Sequence, residues 1–255
     1  MFALGRRFFF VIMKIIITKN YSELSAVAAD FVIKQIKHKP NSVLGLPTGS
    51  TPLGLYGLLI KANQAKKVNF SKVKTFNLDE YYNLDPSNRQ SYHYFMNKNL
   101  FSKINIDNKN VFIPRGDMAK SEIKKTCADY ENQIKKAGGI DLQVLGLGSN
   151  GHIGFNEPGS SFKSKTRLVN LTKKTIKDNS RFFKSETEVP KQAISMGLAT
   201  IVKAKKIIVI VSGQGKADAA KTLINQPASI YFPASILKKH RDVTIIIDKS
   251  AASKI

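Results

Sequence analysis

Short apolar runs alternate with longer segments of helical periodicity along nearly the whole chain. The runs are rich in Val, Ile and Leu, which is typical of strands that are buried on both faces of a sheet. The segments between them repeat an apolar residue at every third or fourth position, which is typical of amphipathic helices. Strands are predicted at 13–18, 42–46, 73–78, 111–113, 142–147, 207–211 and 243–248, with a short extended piece at 167–171. Helices are predicted between Ser22 and Pro40, from Pro52, and at 91–101, 118–136 and 172–183. A further helix is predicted to carry Lys216 in its first turn, and the last one runs through Ile236.

This alternation of strands and helices predicts an α/β fold with a mainly parallel sheet, right-handed crossovers and helices on both faces. The carboxyl ends of its strands then lie at one edge, where open α/β sheets bind ligands. No linker or internal repeat divides the chain, so residues 13–255 are expected to form a single domain. Residues 1–12 are interpreted as an N-terminal extension, because Lys14 interrupts their apolar run and no clear cleavage site follows.

The composition adds one unusual number, a formal net charge of +23 over 255 residues. Such a charge attracts phosphate groups in general, but the basic residues are mostly lysines spread over every predicted helix, which argues against nucleic-acid binding. The single cysteine, Cys127, excludes an internal disulfide and a Cys-rich metal site, and it suits a reducing cytoplasm. No apolar stretch is long enough to span a membrane.

The richest group of candidate side chains follows the strand at 142–147, in the segment LGLGSNGHIGFNEPGSS. Asn150, His152, Asn156 and Glu157 bring an amide, an imidazole and a carboxylate close enough to converge on one small substrate. Histidine is the usual proton carrier near neutral pH. The alternative is a glycine-rich connection whose histidine is satisfied by backbone groups.

The segment PTGSTP follows the second predicted strand and resembles a phosphate cradle of backbone N–H groups and hydroxyls. It fits neither the Walker pattern nor the dinucleotide glycine pattern. Thr51 is expected to be the N-cap of the next helix and Pro52 its first residue. The alternative is merely a capped turn.

Two carboxylates, Asp79 and Glu80, follow the third predicted strand. Asp79 is a candidate general base whose pKa is expected to be raised by partial burial and by its charged neighbour. Glu80 is interpreted as a cap of a following turn. Arg181 and Lys216 could supply positive charge to a phosphate, although each alone would more often be a solvated surface cation.

Five segments of the chain carry a resemblance to a known family: LGLPTGSTP, FNLDEY, SYHYFMNKNLF, GHIGFNEPGSSF and NSRFF. They occur in the same order in glucosamine-6-phosphate deaminases, which the chain resembles. The resemblance implies a Rossmann-like, doubly wound fold. It also implies conversion of glucosamine 6-phosphate and water to fructose 6-phosphate and ammonia, without a metal or an organic cofactor.

By this resemblance Asp79 moves the proton between C2 and C1, and His152 opens the sugar ring while Glu157 and Asn150 orient it. The family's phosphate site corresponds to Gly49, Ser50, Thr51, Arg181 and Lys216.

The chain departs from the family pattern at two places. Asn150 stands where many members have Asp, so a charged partner of His152 is missing there and Glu157 is expected to orient the imidazole alone. Ser160 and Arg167 match an effector site for N-acetylglucosamine 6-phosphate, but Val169 replaces its lysine. We therefore expect weak allosteric control.

Three other functions remain open at this stage. A 6-phosphogluconolactonase would share the fold and a similar His loop, a silent sugar-phosphate sensor would keep the phosphate loop, and a nucleic-acid-binding protein would use the charge. The favoured ligand is a small sugar phosphate, and neither a nucleic acid nor a membrane is expected as a partner. The protein is expected to be cytoplasmic and to be a monomer or a homo-oligomer.

Overall fold

The computed structural model describes residues 13–181 and 183–255, and it contains two sheets surrounded by helices. The strands are β1 Lys14–Thr18, β2 Val43–Leu46, β3 Lys74–Asn77, β4 Asp79–Tyr81, β5 Val111–Phe112, β6 Leu142–Gly146, β7 Arg167–Asn170, β8 Gln192–Ser195, β9 Lys206–Val211 and β10 Val243–Asp248. The α-helices are α1 Tyr21–His38, α2 Leu53–Gln64, α3 Tyr92–Asn99, α4 Ile123–Lys136, α5 Lys173–Ser180, α6 Leu198–Ile201 and α7 Ala217–Asn225, and a longer 3-10 helix spans Pro233–Lys239.

The larger sheet has seven strands in the order β1-β10-β9-β6-β2-β3-β5, and every neighbouring pair is parallel. From β2 the chain builds outward through β3 to β5, and from β6 it builds in the opposite direction through β9 to β10. The winding therefore reverses between β2 and β6. Such a switch point opens a crevice beyond the carboxyl ends of its two strands.

Both faces of this sheet are buried, which explains why its strands are continuous apolar runs. In β9, Ile207, Val209 and Val211 pack in the cluster that contains residues of α4 and α7. Ile208 and Ile210 pack on the opposite face, with residues of α1 and α2. The predicted doubly wound α/β fold with helices on both faces is confirmed.

The smaller sheet is antiparallel, in the order β4-β8-β7, and the sequence did not predict it. The third predicted strand does not simply end at Leu78, because the chain changes sheets there. The N–H of Leu78 donates to Leu46 in the large sheet at 3.2 Å, and its carbonyl accepts from Met196 beyond β8 at 2.7 Å. Strand β8 was missed because it is very short and has polar residues at both ends.

Several predicted helix boundaries are wrong. The helix predicted at 172–183 ends at Ser180, and Lys216 precedes α7 instead of lying in its first turn. The second helix begins at Leu53 rather than Pro52, and no side chain at the N-cap position makes a capping hydrogen bond. The fourth begins at Ile123, after a 3-10 turn at Lys120–Glu122. Within the two described ranges, no helix is both long and apolar enough to cross a membrane. The extension at 1–12 lies outside the described residues, so the domain boundary at residue 13 stays a prediction.

Candidate functional site

A cavity of about 170 Å³ lies at the switch point, where the loops after β2 and β6 meet the residues that follow β3. Residues at the C-terminal end of α5 and Lys216, just before α7, also line it. Seven of the predicted site residues line it: Gly49, Ser50, Thr51, Asp79, His152, Arg181 and Lys216. Asn150 and Glu157 do not line it but lie behind His152. The tertiary structure thus brings together residues that are up to 167 positions apart in the chain (216 − 49).

Asp79 lies where the chain passes from the large sheet to the small one, and it is only 5% exposed. Among the described residues, no hydrogen bond reaches its carboxylate. Burial raises the pKa of Asp79 to about 8, and the negative charge of Glu80 adds to the increase. The expected direction of the pKa shift is therefore confirmed, with desolvation as the main cause. A carboxyl group with this pKa can exchange protons with a substrate near neutral pH.

Glu80, the neighbouring carboxylate, does not line the cavity and caps α3. Its Oε1 accepts the backbone N–H of Tyr92 at 2.9 Å, and its Oε2 accepts that of His93 at 2.9 Å. The ring nitrogen Nδ1 of His93 lies 2.7 Å from the same Oε2. The prediction that Glu80 is a cap is confirmed in kind, although it caps a helix 12 residues later rather than a following turn.

The His loop holds His152 against its own backbone. A Cβ at Gly148 would stand 2.4 Å from the His152 ring, so only glycine leaves room for the imidazole there. The same loop approaches Asp79, because a Cβ at Gly154 would stand 3.4 Å from Oδ2 of Asp79. The imidazole and the carboxylate therefore face one small volume.

Asn150 determines which nitrogen of His152 carries the proton. Its amide Nδ2 donates to Oε2 of Glu157 at 2.8 Å, since a carboxylate can only accept. Its Oδ1 then faces Nδ1 of His152 at 2.7 Å, so Nδ1 is the donor and Nε2 keeps the lone pair. The expectation that Glu157 alone orients His152 is wrong, because Asn150 makes the direct contact and Glu157 lies 3.8 Å away.

The charge state of His152 follows from the same surroundings. Burial lowers the pKa of the imidazole below its ordinary value, and the negative charge of Glu157 opposes this effect. The neutral form with a basic Nε2 is therefore favoured. Glu157 is itself held by Thr172 and Thr175, whose hydroxyls donate to its Oε1. This links the His loop to the first turn of α5.

The phosphate-loop candidates lie at the other end of the cavity. Gly49 has a φ of 88°, a left-handed conformation that glycine adopts without strain. Among the described residues, no hydrogen bond uses the N–H groups of Gly49, Ser50 or Thr51, whereas those of Leu53 and Gly54 are engaged. The loop therefore offers three free donors in the described part of the chain, and at the start of α2 the N–H groups of Leu53 and Gly54 are already engaged.

Two cations approach this loop from separate helices. An amino group of Arg181, at the end of α5, lies 3.4 Å from Oγ of Ser50. Lys216 precedes α7 and lines the same cavity. Burial lowers the pKa of Lys216, and the positive charges of Arg181 and Lys174 lower it further, whereas Asp178 opposes the shift.

The sequence analysis missed several polar residues that line the cavity, namely Tyr92, Thr175, Asp178 and Asn179. Tyr92 lies in the helix predicted at 91–101, lines the cavity and stacks on Phe155 with ring centroids 6.0 Å apart. Thr175 and Asp178 line it from α5. The helical spacing of Thr175 and Asp178 was the available signal, because it places both on the face that carries Arg181 one turn later.

Two further expectations concern ligands. In the described ranges, no three His, Cys, Asp or Glu side chains lie together in a way that could hold a metal ion. The effector-site residues do come together, since Arg167 reaches Ser160 at 3.4 Å and Asn156 at 2.9 Å. Val169 belongs to the same strand and offers no cation.

Comparison with known proteins agrees with this geometry. A profile of the family described as "Glucosamine-6-phosphate isomerases/6-phosphogluconolactonase" matches residues 19–246. A glucosamine-6-phosphate deaminase of Clostridium novyi (strain NT) is 57% identical over 243 residues, covering 95% of this chain and 100% of the relative. A solved monomeric glucosamine-6-phosphate deaminase is 44% identical with a TM-score of 0.93, over 95% of this chain and 100% of its own. The 6-phosphogluconolactonase from Trypanosoma brucei is 19% identical with a TM-score of 0.76, over 95% and 98%, which shows the fold alone.

Proposed function

The chain belongs to the glucosamine-6-phosphate isomerase/6-phosphogluconolactonase family, and we propose that it converts glucosamine 6-phosphate and water to fructose 6-phosphate and ammonia. The observation that carries the proposal is the shared cavity of Asp79 and His152, with cations and free N–H groups at its other end. Asp79 can act on an acidic C–H group, His152 on a sugar ring, and the cations and free N–H groups on a phosphate.

His152 opens the sugar ring in the first step. Its Nε2 lone pair takes the proton of the anomeric hydroxyl. The imidazolium then returns a proton to the ring oxygen as the bond between C1 and the ring oxygen breaks. The contact from Nδ1 to Asn150 stabilises the ring orientation and the charge that develops on the imidazole. The product is an open-chain aldehyde, whose C2 proton is more acidic.

Asp79 then carries the proton from C2 to C1. The electron pair of the C2–H bond forms the C1–C2 double bond of an enol, and the oxygen on C1 takes its proton from the ammonium group on C2. Return of the proton from Asp79 to C1 then leaves an alcohol at C1 and an iminium group at C2. Water adds to C2, the C–N bond breaks and ammonia leaves. Since the carboxylate gives and receives the same proton, a pKa near the working pH serves both directions.

The phosphate is held by the N–H groups and hydroxyls of Gly49, Ser50 and Thr51 and by the charges of Arg181 and Lys216. Binding at this end fixes the distance of C1 and C2 from the catalytic groups. We also propose a cytoplasmic location, which agrees with the buried free thiol of Cys127. Either a monomer or a homo-oligomer fits the proposal, and one solved relative is described as monomeric.

The direct test is ammonia release from purified protein with a panel of substrates. We expect turnover of glucosamine 6-phosphate, little or none of glucosamine without phosphate, and no hydrolysis of 6-phosphogluconolactone. The Asp79→Asn variant is the matched control for contaminating activity. Lactone hydrolysis without ammonia release would overturn the proposal.

A second test concerns cofactors. We predict that turnover survives exhaustive treatment with a chelator, because one histidine and scattered carboxylates do not make a metal site. Ammonia release before and after dialysis against chelator checks this. Loss of turnover that one added metal restores would contradict the cofactor-free mechanism.

A further inference from the structure

The phosphate loop is held from outside the cavity by Tyr21, the first residue of α1. The Tyr21 hydroxyl lies 3.0 Å from the carbonyl oxygen of Thr51 and 3.3 Å from that of Ser50, and it donates its one proton to this pair. It also accepts the backbone N–H of Gly54 at 2.8 Å. One hydroxyl therefore joins three consecutive parts of the loop and helix.

The contact with Ser50 determines which way the N–H of Thr51 faces. In a planar trans peptide the carbonyl and the following N–H point in opposite directions, and the described chain contains no cis peptide. When Tyr21 draws the Ser50 carbonyl outward, the N–H of Thr51 is turned to the opposite side. A second donor, the N–H of Leu53, holds the same carbonyl at 3.3 Å.

Tyr21 also performs the capping role that the sequence had assigned to Thr51. The first N–H groups of a helix lack partners within it, and a side-chain oxygen normally accepts one of them. Here the Tyr21 hydroxyl accepts from Gly54, in the first turn of α2. The hydroxyls of Ser50 and Thr51 are thereby left for another acceptor.

The position of Tyr21 is itself set by packing between α1 and α2. Asn20 caps α1 by accepting the N–H of Glu23 at 3.0 Å, and Ser25 donates to the Tyr21 carbonyl at 2.8 Å. A Cβ at Gly54 would stand 2.3 Å from Oγ of Ser25, so only glycine permits this approach. The geometry of the loop is thus transmitted from a helix that contributes nothing to the cavity lining.

We propose that Tyr21 is a positioning residue for substrate phosphate: its hydroxyl holds the Ser50–Thr51 peptide so that the N–H of Thr51 is directed at the phosphate, and it leaves the hydroxyls of Ser50 and Thr51 available to the same ligand. This inference rests on the proposed function for the identity of the substrate. It assigns Tyr21 a role in binding and none in proton transfer.

The test is Tyr21→Phe, which removes only the hydroxyl from a side chain that is already 38% exposed. We expect the KM for glucosamine 6-phosphate to rise about three- to tenfold while kcat changes less than about twofold. Tyr231→Phe, at a 75% exposed residue, is the matched control and should change neither.

Binding of inorganic phosphate, measured by calorimetry, separates this inference from the proposed function because it requires no turnover. Tyr21→Phe should weaken phosphate binding by the same factor as it raises KM. If the wild-type protein binds phosphate but releases no ammonia, the proposed function fails, and weaker binding by the variant still supports the role of Tyr21. Unchanged phosphate affinity, or a loss confined to kcat or to thermal stability, would overturn it.

Discussion

The two ends of the cavity are built in different ways. At the catalytic end, Asp79 is almost fully buried at the end of a strand, and His152 is packed against backbone with its proton placed by Asn150. At the phosphate end, Ser50 and Arg181 are exposed, and the groups come from a loop and from two helix ends. The catalytic end is therefore largely buried and held by packing, whereas the phosphate end is solvent-exposed and charged.

The difference follows from what each end must do. Proton transfer needs pKa values that differ from those in water, and desolvation, nearby charges and hydrogen bonds shift them. Phosphate binding needs several donors and positive charge, which still act at a solvated surface. Substitutions should therefore separate into large effects on kcat at one end and smaller effects on KM at the other.

The largest effect is expected for Asp79→Asn, which keeps the shape and removes the basicity. We predict that kcat falls by about a hundredfold or more with little change in KM. Exchange of solvent deuterium into C1 of the product and C2 of the substrate should be lost as well. Undiminished exchange in the variant would place the base elsewhere.

The raised pKa of Asp79 predicts a pH dependence of known sign. Below about pH 8 the free enzyme holds this carboxyl protonated, so kcat/KM should rise with pH and level off above that value. The folded state binds this proton more tightly than the unfolded state, so its contribution to stability is full below about pH 4 and is lost as the pH rises to about 8. Asp79→Asn should accordingly raise Tm at pH 8, with a gain that shrinks toward pH 4; a flat kcat/KM profile from pH 6 to 9 would contradict the assignment.

Lys216→Met comes next, because it removes a charge at the phosphate end and keeps the aliphatic length. The KM for glucosamine 6-phosphate should rise about tenfold or more, with kcat changed much less. Lys221→Met, at an exposed position of the helix α7 that follows Lys216, is the control and should leave KM unchanged. A loss in kcat as large as that of Asp79→Asn would mean that the two ends are not separable.

Asn150→Ala tests the placement of the proton on His152. Without an acceptor for Nδ1–H, the imidazole can adopt the other tautomer, and kcat should fall about tenfold. Asn150→Asp keeps an acceptor at this position and should retain most of the activity. Equal losses in the two variants would show that the amide does something other than accept this proton.

The smallest effect is expected for Asp178→Asn. This carboxylate lines the phosphate end beside Lys216 and opposes the binding of another anion. The side chain is exposed, so solvent screens it, and the variant should lower KM only about two- to threefold, less at high salt. Asp30→Asn is the matched control, since Asp30 also pairs with a lysine one helical turn away and lies far from the cavity. An increase in KM would show that Asp178 helps to bind substrate.

Most of the large sheet and seven of the residues that line the cavity could be predicted from the sequence. The strands of a doubly wound sheet are buried on both faces, so each appears as a local apolar run, as Ile207–Val211 does. The small sheet could not be predicted, since β8 has only four residues and its partners lie far away in the chain. Asp79 was identified from its place after a strand, but the change of sheet that buries it was not.

The sequence by itself determined the order of the elements, the loops at the switch point and the types of chemical group that those loops carry, because these depend on patterns within a few residues. Only the tertiary structure decided the state of those groups. The pKa of Asp79 depends on burial by β8, the tautomer of His152 on an amide held by Glu157, and the direction of the phosphate loop on Tyr21, 30 residues before Thr51. Desolvation and hydrogen-bond partners are properties of neighbours in space, and a chain pattern does not contain them.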